Sequence, residues 1–221
     1  QWYTPNNAAL AIAGNIKTAE ALALVEKWFA DIPAGPTIAR NLPTEPPLEG
    51  PIRRTVQAKV PTPALYLAFR MPARLDPDFY AVDLITDVLA QGHSSRLYRR
   101  LLKERPLFSQ IDAYVTSNID PGLFVIEGRP AEGVSMDTAV AAIWEELSQL
   151  CAEPIPEREL KKIQHRFEST LVFSEMSALN KAQNLSYYEL LDRAELMNEE
   201  VETYLALTAE DLRRVAQNVL T

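Results

Sequence analysis

The stretch from Ser94 to Phe124 changes its hydrophobic period partway along, and that change commits the chain to a helix that runs directly into a β-hairpin. Before Pro106 the apolar residues are Leu97, Leu101 and Leu102, set among arginines and a lysine that stay in water, which is the spacing of one helix face. After Pro106 the period shortens. Phe108, Tyr114 and Thr116 fit a strand, Asp120-Pro121-Gly122 is turn chemistry, and Leu123 to Ile126 fits a second strand.

The flanking segments supply what a hairpin needs to pack against. Tyr3-Thr4-Pro5-Asn6-Asn7 is a turn, and Ala8 to Ala13, ending at Gly14-Asn15, is an apolar run that predicts a buried strand. Thr18 stands where an N-cap belongs, and Leu22, Val25, Trp28 and Phe29 recur at helical spacing. Prolines at 33, 36, 43, 46, 47 and 51 predict a stiff, extended connection, followed by strands over Ile52–Ala58 and Ala64–Phe69. Asp76-Pro77 signals a helix start, with Phe79, Val82, Ile85 and Leu89 as its stripe and an end near Gly92. Beyond the hairpin the pattern is helical. Ser135 caps one helix, Pro156 opens the next, and Ser177 to Leu220 reads as helix with breaks near Asp192 and Thr208, where a capping box displaced by one residue is expected.

Composition closes off several function classes. A formal charge of −8 opposes sequence-independent nucleic-acid binding, which needs lysines and arginines to displace counterions from phosphates. No apolar run approaches the roughly 18 residues of a membrane-spanning helix, so membrane insertion is not expected. With one cysteine in 221 residues, Cys151, the chain has no internal disulfide and must rely on a core, for which it is long enough. It opens on Gln1 without an initiator Met or a leader, as expected of a piece cut from something longer.

Candidate chemistry is sparse. Only two histidines occur, His93 and His165, and neither has a second ligand at helical spacing, so both read as ordinary loop or helix histidines. His93 precedes Ser94, but adjacent residues do not give a nucleophile its base and orienting group; Ser94 reads as the cap of the following helix. Cys151 beside Glu153 reads as a small packing residue. Gly14-Asn15 lacks the pattern of a phosphate loop, and Glu145-Glu146 and Glu199-Glu200 read as solvated helix faces. No catalytic or metal-binding residue is expected in this chain.

Ser95-Arg96-Leu97-Tyr98, Lys103-Glu104 and Gly122-Leu123-Phe124 resemble the central block of the pitrilysin- and insulinase-like (M16) zinc peptidases, the group of mitochondrial processing peptidase and insulin-degrading enzyme. The opening Tyr3-Thr4-Pro5-Asn6-Asn7, leading to an apolar run that ends at a glycine, resembles the start of that family's second half. The resemblance implies an α+β fold, a mostly antiparallel sheet with helices layered on one face, as in the LuxS/mitochondrial processing peptidase-like fold. It implies one second-half domain over residues 1–221, with strands near Ala8, Ile52, Ala64, Phe108 and Leu123.

In active members the block carries an arginine in the helix and a tyrosine opening the hairpin, which grip the substrate peptide. The matching positions here are Leu102 and Ser109, the candidate substrate-facing residues, and the grip itself is missing. The resemblance therefore implies a domain inactive alone that walls a chamber for unfolded peptides. Zinc and the H-x-x-E-H motif that binds it are then expected in the full-length parent, on an N-terminal half of the same polypeptide. A homologous partner subunit is the further partner implied. The other implied role is a structural or assembly subunit that has kept the shell and lost proteolysis. For a bacterial protein, both periplasm and cytoplasm stay open.

Overall fold

The computed structural model describes residues 2–39, 42–43, 45–116 and 118–221. Gln1, Arg40, Asn41 and Thr44 of the proline-rich connection, and Ser117 of the hairpin turn, lie outside the described residues. The chain divides into two compact units, one of Thr62–Ser174 with Asn198–Thr221, the other of the residues up to Pro61 with Glu175–Met197.

The first unit is built on the hairpin. Strands β1 (Leu65–Arg70), β2 (Phe108–Val115) and β3 (Leu123–Pro130) form an antiparallel sheet in the order β1-β3-β2. Alternation sorts the side chains: the rows Leu67–Ile126–Ala113 and Phe69–Phe124–Val115 cross all three strands and face the core. Gly128 has a steric reason to be glycine, because a Cβ there would come within 2.7 Å of the Phe108 ring.

Helices cover that inner face. Helix α1 (Thr18–Phe29) belongs to the other unit; α2 (Asp78–Ala90) is the core helix, burying Phe79, Val82, Ile85 and Leu89 together with Ala81, Leu84 and Val88. Its start is the Asp76-Pro77 signal as expected: Pro77 lies in the helical region at φ −55°, and Asp76 Oδ1 accepts from the Asp78 N–H at 2.9 Å. Helix α2 packs against β2, against α4 (Glu157–Ser174) and against α7 (Ala209–Val219). Helix α3 (Met136–Ala152) packs on α7, and its Trp144 meets Phe69 of the sheet edge-on at 5.6 Å. Ser135 caps α3 by accepting from the Thr138 N–H at 3.1 Å. The result is an α+β fold, rich in helix, with a small antiparallel sheet.

The capping box at Thr208 is in register rather than displaced. The Thr208 N–H donates to Asp211 Oδ2 at 2.9 Å and the Asp211 N–H donates to Thr208 Oγ1 at 3.2 Å, so the aspartate does the work usually given to a glutamate at that position.

The second unit departs further from expectation. A 3₁₀ turn at Pro5–Asn7 is clamped by Asn6, which donates through Nδ2 to the Gly35 carbonyl at 3.1 Å and accepts the Gly35 N–H through Oδ1 at 2.9 Å. Among the described residues neither Ala8–Ala13 nor Ile52–Ala58 is assigned to a strand or to a ladder, and Leu10, Ile12, Ile52 and Val56 are exposed. Strand-like alternation specifies a face, whereas a strand also needs a neighbouring edge to take its N–H and C=O groups. Thr18 is the first helical residue of α1 and not its cap; Lys17 holds the cap position, and its ammonium has no acceptor to offer. The apolar stripe of α1 buries none of its residues, with Leu22 and Trp28 exposed by 63% and 66%. Helix α5 (Ala178–Leu191), capped by Ser177 through the Asn180 N–H at 3.3 Å, ends at Asp192 as expected. Helix α6 (Leu196–Ala206) then leads to Thr208.

Candidate functional site: the outer sheet face and the helix that feeds it

The helix expected from Leu97, Leu101 and Leu102 forms, but from Tyr98 to Glu104 it is π-helical, with the Arg105 N–H donating to the Arg100 carbonyl at 2.9 Å. Widening to an i→i+5 repeat brings residues five apart onto one side. Leu97 and Leu101 are fully buried, and Leu102 is partly buried against the same core. The position where active relatives are expected to carry an arginine thus holds a half-buried leucine. Ser94 does not cap the helix; its Oγ accepts from Lys162 Nζ of α4 at 3.0 Å, while Ser95 Oγ donates to the Gly92 carbonyl at 2.8 Å.

Ion pairs tie this helix and its flanking residues to their surroundings. Arg96 forks onto Glu159 at 2.8 and 3.2 Å, Arg100 reaches Glu146 at 2.8 Å, and Arg105 reaches Glu145 at 2.8 Å. Glu146, read from sequence as part of a solvated face, is instead buried, and burial raises its carboxyl against the lowering effect of Arg100. The charge run hid one inward residue among outward ones.

Ser109 sits at a β-bulge. The register steps from Phe108 opposite Pro130 to Gln110 opposite Arg129, which leaves Ser109 as the extra residue. The bulge turns both Ser109 and Gln110 outward while Phe108 and Ile111 stay on the core side, and Ser109 Oγ donates to the Arg129 carbonyl at 3.1 Å. Ser109 therefore opens onto the outer face of the sheet. That face carries the rows Tyr66–Glu127–Asp112 and Ala68–Val125–Tyr114, with Leu123 beside them; Tyr66, Tyr114 and Leu123 are exposed by 66%, 40% and 41%. A depression of about 20 Å³ among Ala64, Tyr66, Gln110, Glu127, Gly128 and Arg129 holds at most one water. The face is thus an open surface of aromatic, apolar and acidic groups together with Arg129.

The remaining candidates separate. His165 Nδ1 lies 3.3 Å from Glu168 Oε2 on an exposed part of α4, and the His93 ring meets Tyr98 edge-on at 4.7 Å. Among the described residues no group of three or more His, Cys, Asp or Glu side chains is placed to hold a metal ion. Cys151 lines a cavity of about 410 Å³ with Trp144, Ser148, Gln217 and Leu220 between α3 and α7, and burial pushes its thiol up, away from the reactive thiolate. Among the described residues no helix is long and apolar enough to cross a membrane.

Fold and site together define an α+β domain whose small antiparallel sheet keeps one face exposed. Residues 1–167 match the family described as the peptidase M16 inactive domain, and the chain belongs to that family. It is 24% identical over 221 residues, all of this chain and 53% of the other, to the uncharacterized zinc protease YmxG of Bacillus subtilis. The crystal structure of a protease from Helicobacter pylori superposes on 95% of this chain and 51% of its own, with a TM-score of 0.87 at 22% identity. The peptidase M16 inactive domain from Pseudomonas fluorescens covers 94% of this chain, using 50% of its own, with a TM-score of 0.72 at 18% identity. The chain spans about half the length of the curated relatives it matches.

Proposed function

We propose that this chain is one second-half domain, residues 1–221, that walls a peptide-holding chamber in a zinc-dependent endopeptidase whose metal centre lies on an N-terminal half of the same polypeptide. The observation that carries this reading is the outer sheet face, with Tyr66, Tyr114 and Leu123 in solvent and Asp112 and Glu127 in one row across β2 and β3. An extended peptide gains from such a face through backbone pairing at a sheet edge and alternate side-chain contacts, which asks little of its sequence. Hydrolysis is then the work of the other half, and this domain binds the peptide and excludes water. Leu102 and Ser109 are the substrate-facing positions of this proposal, and the missing grip is supplied by a homologous partner subunit.

The test is reconstitution. The purified chain should carry no stoichiometric zinc and cleave no unstructured peptide, whereas the parent containing both halves should hold one zinc and cleave it. Chelator-sensitive cleavage by the chain alone, or a parent unaffected in kcat/KM by loss of this domain, would overturn the reading. The double substitution Leu102→Arg with Ser109→Tyr in the parent should tighten peptide binding without giving the isolated chain any activity. Flat affinity would mean that these two positions do not face peptide.

A further inference from the structure

Helix α6 is held inward by an unusual stripe: Met197, Glu200 and Tyr204 are buried at 6%, 7% and 2% exposure, and only Met197 among them is aliphatic in character. Glu200 pairs with Arg74, which lies just before α2 and whose guanidinium stacks over the Phe79 and Tyr80 rings at 4.6 and 5.2 Å. Tyr204 stacks on Phe167 of α4 with ring centres 3.6 Å apart, meets Tyr80 edge-on at 5.1 Å, and donates its hydroxyl to Asp83 Oδ2 at 2.7 Å. Asp83 of α2 and Glu200 of α6 thus both draw on the Arg74 charge across one buried layer, and they repel each other between the two helices.

We propose that this layer is a proton-operated latch, in which protonation of Asp83 draws α6 onto α2 and its ionisation loosens α6 toward local opening. The inference is independent of the peptidase reading. Neutral Asp83 still accepts the Tyr204 hydroxyl, ceases to repel Glu200, and no longer draws on the Arg74 charge that Glu200 pairs with. Ionised Asp83 restores the repulsion in a place where water cannot screen it. An 11-residue helix with so little apolar hold is poorly stable by itself, so the balance at this layer decides how often it opens.

Neighbouring charges engage the other carboxyls of α2 from α4 and α7. From α4, Arg166 reaches Asp87 at 3.7 Å and donates to Gln91 at 2.9 Å, and Lys162 acts on Asp87 from the same side. From α7, Arg214 forks onto Asp78 at 2.7 and 3.0 Å, a full turn before Asp83. Burial raises the Asp83 carboxyl above its ordinary value, and burial likewise raises Asp87 from 3.8 to about 6. The Tyr204 phenol is pushed well above its ordinary value, first by burial and then by the Asp83 carboxylate, so it remains a donor throughout. A carboxyl raised on folding contributes stability that is complete below its unfolded value near 3.8 and is lost as pH rises through its folded value. Tightening on acidification is the resulting sign.

Amide hydrogen exchange of the whole chain between pH 5 and pH 8, corrected for intrinsic rates, reads the latch. The protection of α6 relative to α3 should fall over that range, by up to about tenfold for each pH unit until Asp83 is ionised in the folded chain. Asp83→Asn should hold α6 at its acid-side protection across the range. Tyr204→Phe keeps the ring stack but removes the donor that lowers Asp83, and should move the fall to higher pH. Wild-type protection that does not vary with pH overturns the proposal. So does an Asp83→Asn variant that varies as wild type does, or a Tyr204→Phe curve that does not move.

Discussion

Residues 64–69 and residues 8–13 are both short apolar runs bounded by turn residues, yet they end in opposite environments. In the first, Leu65 and Phe69 are buried at 6% and 8% exposure; in the second, Leu10 and Ile12 are exposed by 58% and 50%. The run at 64–69 has β3 beside it to complete its backbone hydrogen bonds, and its inward side chains join the helix-covered core. The run at 8–13 has no ladder partner among the described residues. Helices repeat the contrast, since α2 and α1 share an amphipathic period but α2 buries its stripe and α1 does not. Periodicity therefore states which side chains share a face, and only packing decides whether that face is covered.

The sharpest way to break this contrast is to truncate one residue in each region. Ile126 is fully buried in the central strand, between Leu67 and Ala113, and Ile126→Ala should cost about 2–5 kcal/mol through lost burial and the cavity left behind. Leu22→Ala on the exposed stripe of α1 should change stability by no more than about 0.5 kcal/mol. Urea unfolding of the two variants measures both. A Leu22→Ala cost approaching that of Ile126→Ala would mean that α1 is covered in solution.

Where the sequence was legible, the information was local. The hairpin could be read because Pro106 and Asp120-Pro121-Gly122 bracket a change of period, and the cap at Ser135 because a hydroxyl precedes that helix. The bulge at Ser109 could not, since one extra residue in a strand looks like a small lapse in alternation. The π-helical turn was hidden for a similar reason: Leu101-Leu102 fits either helix type until the hydrogen bonds are seen. Least legible were the polar groups that meet at long range. Arg74 and Glu200 are 126 residues apart, and nothing near either one in the sequence announces the other. The candidate positions Leu102 and Ser109 came from resemblance alone, and both fall where the backbone leaves its regular repeat.

A glycine pair sharpens the contrast at intermediate cost. A Cβ on Gly128 would meet the Phe108 ring at 2.7 and 2.9 Å, while one on Gly50 would meet nothing within 4 Å. Gly128→Ala should therefore destabilise by about 1–3 kcal/mol, because the ring is fixed in the core and has little room to yield. Gly50→Ala, with no positive φ to strain it, should be neutral or stabilise by up to about 1 kcal/mol by restricting the unfolded chain. Thermal midpoints measured side by side decide it, and a neutral Gly128→Ala would show that Phe108 can move.

The smallest effect compares two threonines that look alike in sequence, each standing before an apolar helical repeat. Thr208 accepts the Asp211 N–H and caps α7, whereas Thr18 lies one residue inside α1 and makes no cap. Thr208→Ala should cost about 1 kcal/mol, and Thr18→Ala, a better helix former within the helix, should cost nothing. The cap also carries its own pH signature. Hydrogen bonds from the Thr208 hydroxyl and backbone N–H hold the Asp211 carboxyl below its ordinary 3.8, so their contribution is present above that value and is lost as pH falls through the lowered one. The gap between wild type and Thr208→Ala in urea unfolding should therefore be full at pH 7 and shrink toward pH 3, while the Thr18→Ala difference stays flat. A Thr18→Ala cost equal to that of Thr208→Ala would place the start of α1 one residue later and restore its expected cap.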